Sequence, residues 1–415
     1  MATSVARHRA YAAAMPALEA MRVLDFTQWE AGPTCCQYLA WMGAEVVKVE
    51  PLRGEPGRRA FATGEGDSQY FMNHNGNKRS LAVDVKSEAG RDVIVRLLPR
   101  FDVLVENQGP GVMERLGLGP EDLAAVHRSL VYVRIKGFGL SGPYSDYKSF
   151  DPLAQAASGV VSMTGPVGGP PTQPGGTFAD TGTGIHAAFA TLSAYVQQQR
   201  DGVGQVVELS MHEVMTMFVR SSASRHWGPD AGAAPRRAFD GFPPSGLYRC
   251  AGDGPNDWVN VVVANKPMLE AFYKVVDRLD LLDDARFGSM ADRETRADEL
   301  KAELAPWFEQ RSNQDAMREL AEAGVPASAT FDTSQVFRDP HLLARDFFVT
   351  HDHPEHGSVL VMKPPFRLGA SDVPMQRAPL IGEHSRQVLA DELGLSDAEL
   401  DVMAASGVLG DGTRP

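Results

Sequence analysis

The sequence predicts an α/β protein of two domains, the larger built on a mostly parallel sheet, and three observations lead there. Short β-rich runs alternate with helical runs through the first half of the chain, an order that lays parallel strands between layers of helices. A segment rich in Gly, Ala, Pro and Arg at 228–244 breaks the alternation and reads as a linker. At 415 residues the chain also exceeds what one hydrophobic core ordinarily organises.

The elements follow in order. Residues 22–26 read as a strand, Gly32-Pro33 as a turn and 34–42 as an apolar helix. The run 45–50 (EVVKVE) is the next strand, ending in the Pro/Gly-rich loop 51–57. A strand at 80–85 precedes a helical run at 87–101, with Val93, Leu97 and Leu98 on one side. DVLVE at 102–106 and LVYVRI at 130–135 are buried strands separated by two short helices. Residues 165–176 are loop, 183–200 a long and largely buried helix, 205–209 a strand and 211–221 helical. Beyond the linker, strands at 247–250 and 258–263 and polar helical runs near 266–281, 293–310 and 313–323 make a smaller unit ending near Arg338. A strand at 359–362 and a helix at 383–393 close the chain, with no internal repeat. The implied domains are 1–227, 228–338 and a return at 339–415.

Hydrophobic residues make up 43% and charged residues 22%, the profile of a folded soluble protein, and no apolar run reaches the length of a membrane span. Residues 1–20 lack a continuous apolar signal segment and read as a frayed arm. Cys35, Cys36 and Cys250 offer neither a disulfide framework nor paired metal ligands, which fits a reducing cytoplasm and core thiols. A net charge of −13 argues against a broad nucleic-acid surface. No His/Glu/Asp cluster has metal spacing, so no metal is expected.

Gly182-Thr183-Gly184-Ile185-His186-Ala187 matches the G-x-G-x-x-A form of the dinucleotide fingerprint. That signature needs a strand before it, and GGTFAD at 175–180 is a poor strand. The glycines could instead admit a close helix packing, or the helix start could face an anionic ligand. Asp180 precedes this helix; pattern alone reads it as a capping aspartate, although a carboxylate beside backbone N–H groups could also attack an acyl carbon. Lys78, Arg79, Lys86, Arg115, Lys136 and Lys148 punctuate the loops of the parallel half, where open α/β sheets bind ligands. His186 and His384 read as structural.

Several segments resemble family III CoA-transferases, which include formyl-CoA:oxalate and carnitine CoA-transferases. They are VLDFTQWEAGPTCCQYLAWMGAEVVKVEPLRGEPGR, YFMNHNGNKRSLAVDVKSEAGRDVIVRLL, DVLVENQGPGVMERLGLG, SFDPLAQAASGVVSMTG, PPTQPGGTFADTGTGIHAAF and APLIGEHSRQVL. The resemblance spans almost the whole chain, with the motifs in family order. It implies a large Rossmann-like parallel α/β domain built from both chain ends, a smaller inserted α+β domain and an interlocked homodimer. It puts the nucleophilic aspartate on Asp180 and CoA contacts on Gln28, Glu30, Ala31, Val83, Lys86, Asn107, Arg115 and Lys148. Arg115 and Lys148 would suit the phosphates; Asn107 and the backbone near Ala31 would suit less charged parts. CoA and acyl-CoA then act as substrates, with no permanently bound cofactor, and the partners are small mono- or dicarboxylic acids.

Three departures leave the acceptor acid unassigned, oxalate included. The stretch Gly241-Phe242-Pro243-Pro244-Ser245-Gly246 lacks a glycine run, Pro51 stands where a basic residue is expected, and Glu30 replaces a neutral amide. Trp29, Glu30, Phe242, Arg236 and Arg237 are candidates for shaping selectivity. The nearest alternative is an α-methylacyl-CoA racemase, whose Gly-His-Asp-Ile-Asn-Tyr segment carries an acid/base histidine; here the segment reads Ser149-Phe150-Asp151-Pro152, and Phe150 cannot exchange a proton. An NAD-linked oxidoreductase and a non-catalytic CoA-binding protein are more distant alternatives.

Overall fold

The computed structural model describes residues 15–236, 242–410 and 412; the expectations for most of the N-terminal arm, Arg237 and Gly241 lie outside them. Strands β1 to β6 are Arg22–Phe26, Glu45–Glu50, Arg79–Val83, Val103–Glu106, Val131–Lys136 and Val206–Ser210. Then come β7 (Gly246–Arg249), β8 (Trp258–Val261), β9 (Ala327–Ala329), β10 (Phe348–His353), β11 (Gly357–Met362) and β12 (Leu409–Gly410).

One seven-stranded sheet runs in the order β12-β3-β2-β1-β4-β5-β6. Its first six strands in sequence pair in parallel, and β12 adds antiparallel to β3 through Leu409 and Val83. The sheet is therefore mixed, and strands from both chain regions build it. Alternate residues feed opposite faces, as strand geometry requires: Leu24 and Leu104 enter one core, while Val23, Val103 and Val105 enter the other. Burial on both sides explains the near-continuous apolar reading of these strands.

Charged side chains buried at the strand ends are paired. Lys78 donates to Asp25 Oδ2 at 2.9 Å, Asn75 Oδ1 at 2.8 Å and the Pro33 carbonyl at 3.0 Å. Burial pushes the Asp25 carboxyl up, but Lys48 and Lys78 outweigh it and hold it below its ordinary range. Arg58 bridges Glu50 and Asp67, each at 2.6 Å.

Two compact units account for the chain. One takes in Met1–Thr164, Pro171–Ser221 and Phe347–Pro415; the other takes in Gly165–Pro170 and Ser222–Asp346. In the second, the antiparallel sheet β7-β8-β9 shares a core with three helices, Lys266–Val275, Ala297–Glu309 and Asn313–Glu322. Tyr248 stacks on Phe308 at 4.2 Å there. Among the described residues no helix is long and apolar enough to cross a membrane.

Candidate active site

The long helix spans Phe178–Asp201 and starts a full turn earlier than its apolar pattern suggests. Asp180 accordingly lies inside the first turn and is not the capping residue. The residue at the cap, Thr177, makes no side-chain cap. A different acid supplies it: Asp151 Oδ1 accepts from the backbone N–H of Ala179 at 2.7 Å and of Asp180 at 3.0 Å. Asp151 is itself buried at the start of the Asp151–Ala157 helix. A carboxylate suits this position because the N-terminal amides and the helix dipole both favour negative charge. The amides of residues 179 and 180 are thereby occupied, so this helix start does not present them to an outside anion.

The fingerprint glycines pack, and no strand precedes them. A Cβ on Gly184 would lie 2.6 Å from the Ala31 carbonyl oxygen and from Thr34 Cβ. One on Gly182 would lie 2.9 Å from the Phe218 ring. Glycine at 184 lets the Phe178–Asp201 helix close on the Ala31–Trp41 helix, bringing Asp180 near Glu30, and glycine at 182 admits the Phe218 ring of the Met211–Phe218 helix.

Glu30 is almost fully buried. Its Oε1 accepts from the Thr177 and Thr181 hydroxyls at 2.6 and 2.7 Å and lies 3.8 Å from His74 Nε2. Burial, then the charges of Glu30 and Asp151, push the Asp180 carboxyl up to about 8, against an ordinary aspartate of roughly 3.9. Its surroundings therefore favour the protonated form well beyond what an ordinary aspartate shows. Burial pushes the His74 imidazole down despite Glu30, which makes it a poor counter-cation for the acids at neutral pH. Trp29, next to Glu30, adopts a left-handed backbone with φ 64°. Its N–H donates to Glu55 Oε2 at 3.1 Å, and its ring meets the edge of Phe150 at 6.1 Å. A bulky residue held there carries strain that its neighbours must secure.

Gln28 and Asn107 come together beyond the ends of the adjacent strands β1 and β4. Asn107 Oδ1 accepts from the Gln28 N–H at 2.9 Å, and Asn107 Nδ2 donates to the Gln28 carbonyl at 2.8 Å. Ala31 opens the Ala31–Trp41 helix and is buried. Val83 ends β3 with its side chain in the core, and Lys86 follows it on the surface. Arg115 ends the short Val112–Arg115 helix, and Lys148 lies in the loop before Asp151. Among the described residues no hydrogen bond or ion pair ties Val83, Lys86, Arg115 or Lys148 to Asp180.

The six basic residues divide by partnership. Lys78, Arg79 and Lys136 are committed to Asp25, Glu45 and Glu106. Lys86, Arg115 and Lys148 are exposed and pair with no carboxylate among the described residues. Sequence reasoning missed Asp151 and Tyr70 as neighbours of Asp180, and His74 as a neighbour of Glu30. An Asp-Pro pair opening a helix was the available signal for Asp151, since Pro belongs in the first turn. Elsewhere, ligand atoms of His353, Glu355 and His356 come within 4.8 Å of one another, a local cluster that the spacing reading did not flag.

A sequence profile described as CoA-transferase family III matches residues 18–385. A formyl-CoA:oxalate CoA-transferase of Streptomyces avermitilis is 35% identical over 95% of this chain and 99% of its own length. One from Streptomyces coelicolor is 34% identical over 95% and 99%. Among solved structures, a CAIB/BAIF family protein from Brucella suis superposes with a TM-score of 0.80 at 28% identity, over 91% of this chain and 99% of that one. A hypothetical protein from Mycobacterium tuberculosis gives 0.78 at 28% identity, over 91% and 100%. The fold, the carboxylate-lined helix start and these likenesses converge: the chain belongs to CoA-transferase family III and is an enzyme acting on acyl-CoA and carboxylate pairs.

Proposed function

We propose that Asp180 is the nucleophile and that the enzyme moves CoA from an acyl-CoA donor to a small free carboxylic acid. The single observation that carries this reading is the placement of Asp180. Its backbone is fixed by Asp151, while its own carboxyl makes no hydrogen bond or ion pair among the described residues.

The ionised carboxylate attacks the donor thioester carbonyl, forming an aspartyl-acyl anhydride and expelling CoA thiolate. The thiolate attacks the aspartyl carbonyl, giving an enzyme-CoA thioester and the free donor acid. The acceptor carboxylate then attacks this thioester, regenerating an anhydride and thiolate. Attack of thiolate on the acceptor acyl carbon releases the new acyl-CoA and the Asp180 carboxylate. Two covalent stages replace one difficult exchange, and the thioester's free energy passes along without ATP.

Gln28, Glu30, Ala31, Asn107 and Val83 surround the CoA path in this reading, with Lys86, Arg115 and Lys148 meeting its phosphates. The large domain runs from 1 to 227 and returns at 339–415 around a domain at 228–338. The enzyme works as an interlocked homodimer in the cytoplasm. Formyl-CoA and oxalate, the pair in the relatives' names, are the first to assay, within a panel of mono- and dicarboxylic acids. Phe150 favours transfer over racemisation, because no acid/base side chain stands there.

Intact-mass analysis after adding acyl-CoA tests the assignment. Wild type should gain a hydroxylamine-labile CoA adduct mapped to residue 180, and Asp180→Asn should not. Full transfer activity in Asp180→Asn would falsify it.

A further inference from the structure

Two threonines flank Asp180 at the start of its helix, and both reach back to one acid. Thr177 and Thr181 donate to Glu30 Oε1 at 2.6 and 2.7 Å, short bonds of the kind hydroxyls make to a carboxylate anion. Four positions apart, they share a helix face, and Asp180 lies at the edge of that face. Glu30 Oε2 accepts from no donor among the described residues. It is not one of the sealed unpartnered atoms of the interior, and the side chain keeps 4% of its surface open. One carboxylate oxygen is thus left unanswered beside the turn that carries Asp180.

No lysine or arginine pairs with Glu30 or Asp180 among the described residues. Buried Lys78 and Lys48 are engaged elsewhere, with Asp25 at 2.9 Å and Glu55 at 3.6 Å. His74 approaches Glu30 through Oε1, the oxygen that the threonines already hold. The neighbours of these acids are aromatic instead. Trp29 and Phe150 adjoin Glu30 and Asp151 in the chain and meet edge to face at 6.1 Å. Tyr70, which feels the charges of both Glu30 and Asp180, packs on His74 at 4.9 Å and against Phe61 at 5.6 Å.

We propose that Glu30 selects the acyl group, so that the enzyme takes monocarboxylic acids with an uncharged, apolar body and disfavours dicarboxylic ones. The inference rests on Asp180 as the point of transfer. Any acid must bring one carboxyl group to Asp180, where its charge is lost on entering the anhydride or thioester. A short dicarboxylate brings a second charge that survives and stands near the open Glu30 oxygen. Two like charges partly out of water, with no cation between them, repel strongly. An alkyl or aryl body meets only rings there.

The test titrates pentanoyl-CoA and glutaryl-CoA calorimetrically into the full chain carrying Asp180→Asn, which cannot react. The two thioesters differ only in a terminal methyl or carboxylate, so contacts with CoA cancel in their ratio. Pentanoyl-CoA should bind about tenfold tighter or more. Adding Glu30→Gln, which keeps an acceptor for both threonines, should narrow the gap to about twofold. Equal affinities in the Asp180→Asn protein overturn the proposal. A gap that Glu30→Gln leaves unchanged overturns it too, because the discrimination would then lie elsewhere. Failure of both thioesters to bind strikes the CoA site itself and this proposal with it. The nucleophile assignment fails separately, when wild type gives no CoA adduct at residue 180.

Discussion

Asp151 Oδ1 accepts a 3.0 Å hydrogen bond from the backbone N–H of Asp180, so one buried acid fixes the main chain that carries another. Asp151 Oδ2 accepts from Gln155 Nε2 at 2.5 Å, which locks the anchor's own rotamer. Geometry of the proposed nucleophile therefore depends on a residue that need not touch substrate. Asp151→Ala should lower kcat by about tenfold or more with a smaller change in KM. It should also cost about 1–2 kcal/mol of stability through the lost cap. Steady-state kinetics and thermal melts check both, and an unchanged kcat would remove Asp151 from the positioning role.

The proposed attack requires the Asp180 anion, and burial with Glu30 and Asp151 holds that carboxyl near 8. The rate constant kcat/KM, which reports the free enzyme, should then rise with pH and level off above about 8. Glu30→Gln deletes a like charge and restores an uncharged amide, so the rising limb should move to lower pH. The same change should improve dicarboxylate acceptors most, because their second carboxylate no longer meets Glu30. A pH profile identical in the two proteins would show that Glu30 does not set the Asp180 ionisation.

The raised group has a stability consequence of definite sign. Asp180 binds a proton in the folded state up to about 8, whereas the unfolded chain releases it near roughly 3.9. Its protonation favours the fold fully below the lower value, and that contribution fades as pH rises to the upper one. Asp180→Asn keeps the shape without the ionisation. Its melting midpoint should exceed wild type by about 2–4 °C at pH 8, and the gap should close near pH 4. Equal midpoints at both pH values would contradict the shift.

Strands β1 to β5 were legible in the sequence because burial on both faces writes runs such as VLVE and VYVRIK directly into the chain. The two-residue strand β12 was not, since Leu409 and Gly410 carry no period of their own and exist as a strand only by pairing with Val83 and Ala82. The Gln69–Asn75 helix was missed for a related reason: its polar residues serve tertiary contacts, as Gln69 does in donating to the Leu360 carbonyl. At the site, local pattern found Asp180 but assigned it the wrong capping position. Its true cap comes from Asp151, 29 positions away in sequence, and no short-range rule reaches that far. Basic residues looked alike until burial separated Lys78 and Lys136 from Lys86, Arg115 and Lys148.

That separation predicts opposite phenotypes for residues of one type. Alanine at Lys86, Arg115 or Lys148 should raise the KM for acyl-CoA by about three- to tenfold at low salt. It should leave kcat and stability unchanged, with the effect shrinking as salt screens the phosphates. Lys78→Met should instead destabilise by about 3–5 kcal/mol, because Asp25 would be left buried beside one fewer cation. Salt-dependent kinetics on the first set and denaturant melts on the second distinguish the roles. An unaltered KM in all three alanine variants would remove them from the CoA path.

The Phe178–Asp201 helix also exposes apolar residues that a monomer has no reason to leave in water. Ile185, Phe189 and Val196 are 40%, 72% and 65% exposed, and their spacing of four and seven places them along one stripe. The opposite side of the helix is buried through Ala187, Ala188, Thr191 and Tyr195. A helix apolar on both sides is one that expects cover, and in the proposed homodimer a second copy supplies it. Phe189→Asp adds a charge to that stripe without touching the buried side. Light scattering should then show a shift from dimer to monomer, with the melting midpoint becoming independent of protein concentration. A Phe189→Asp protein that stays dimeric at micromolar concentration would place the contact between copies on some other surface.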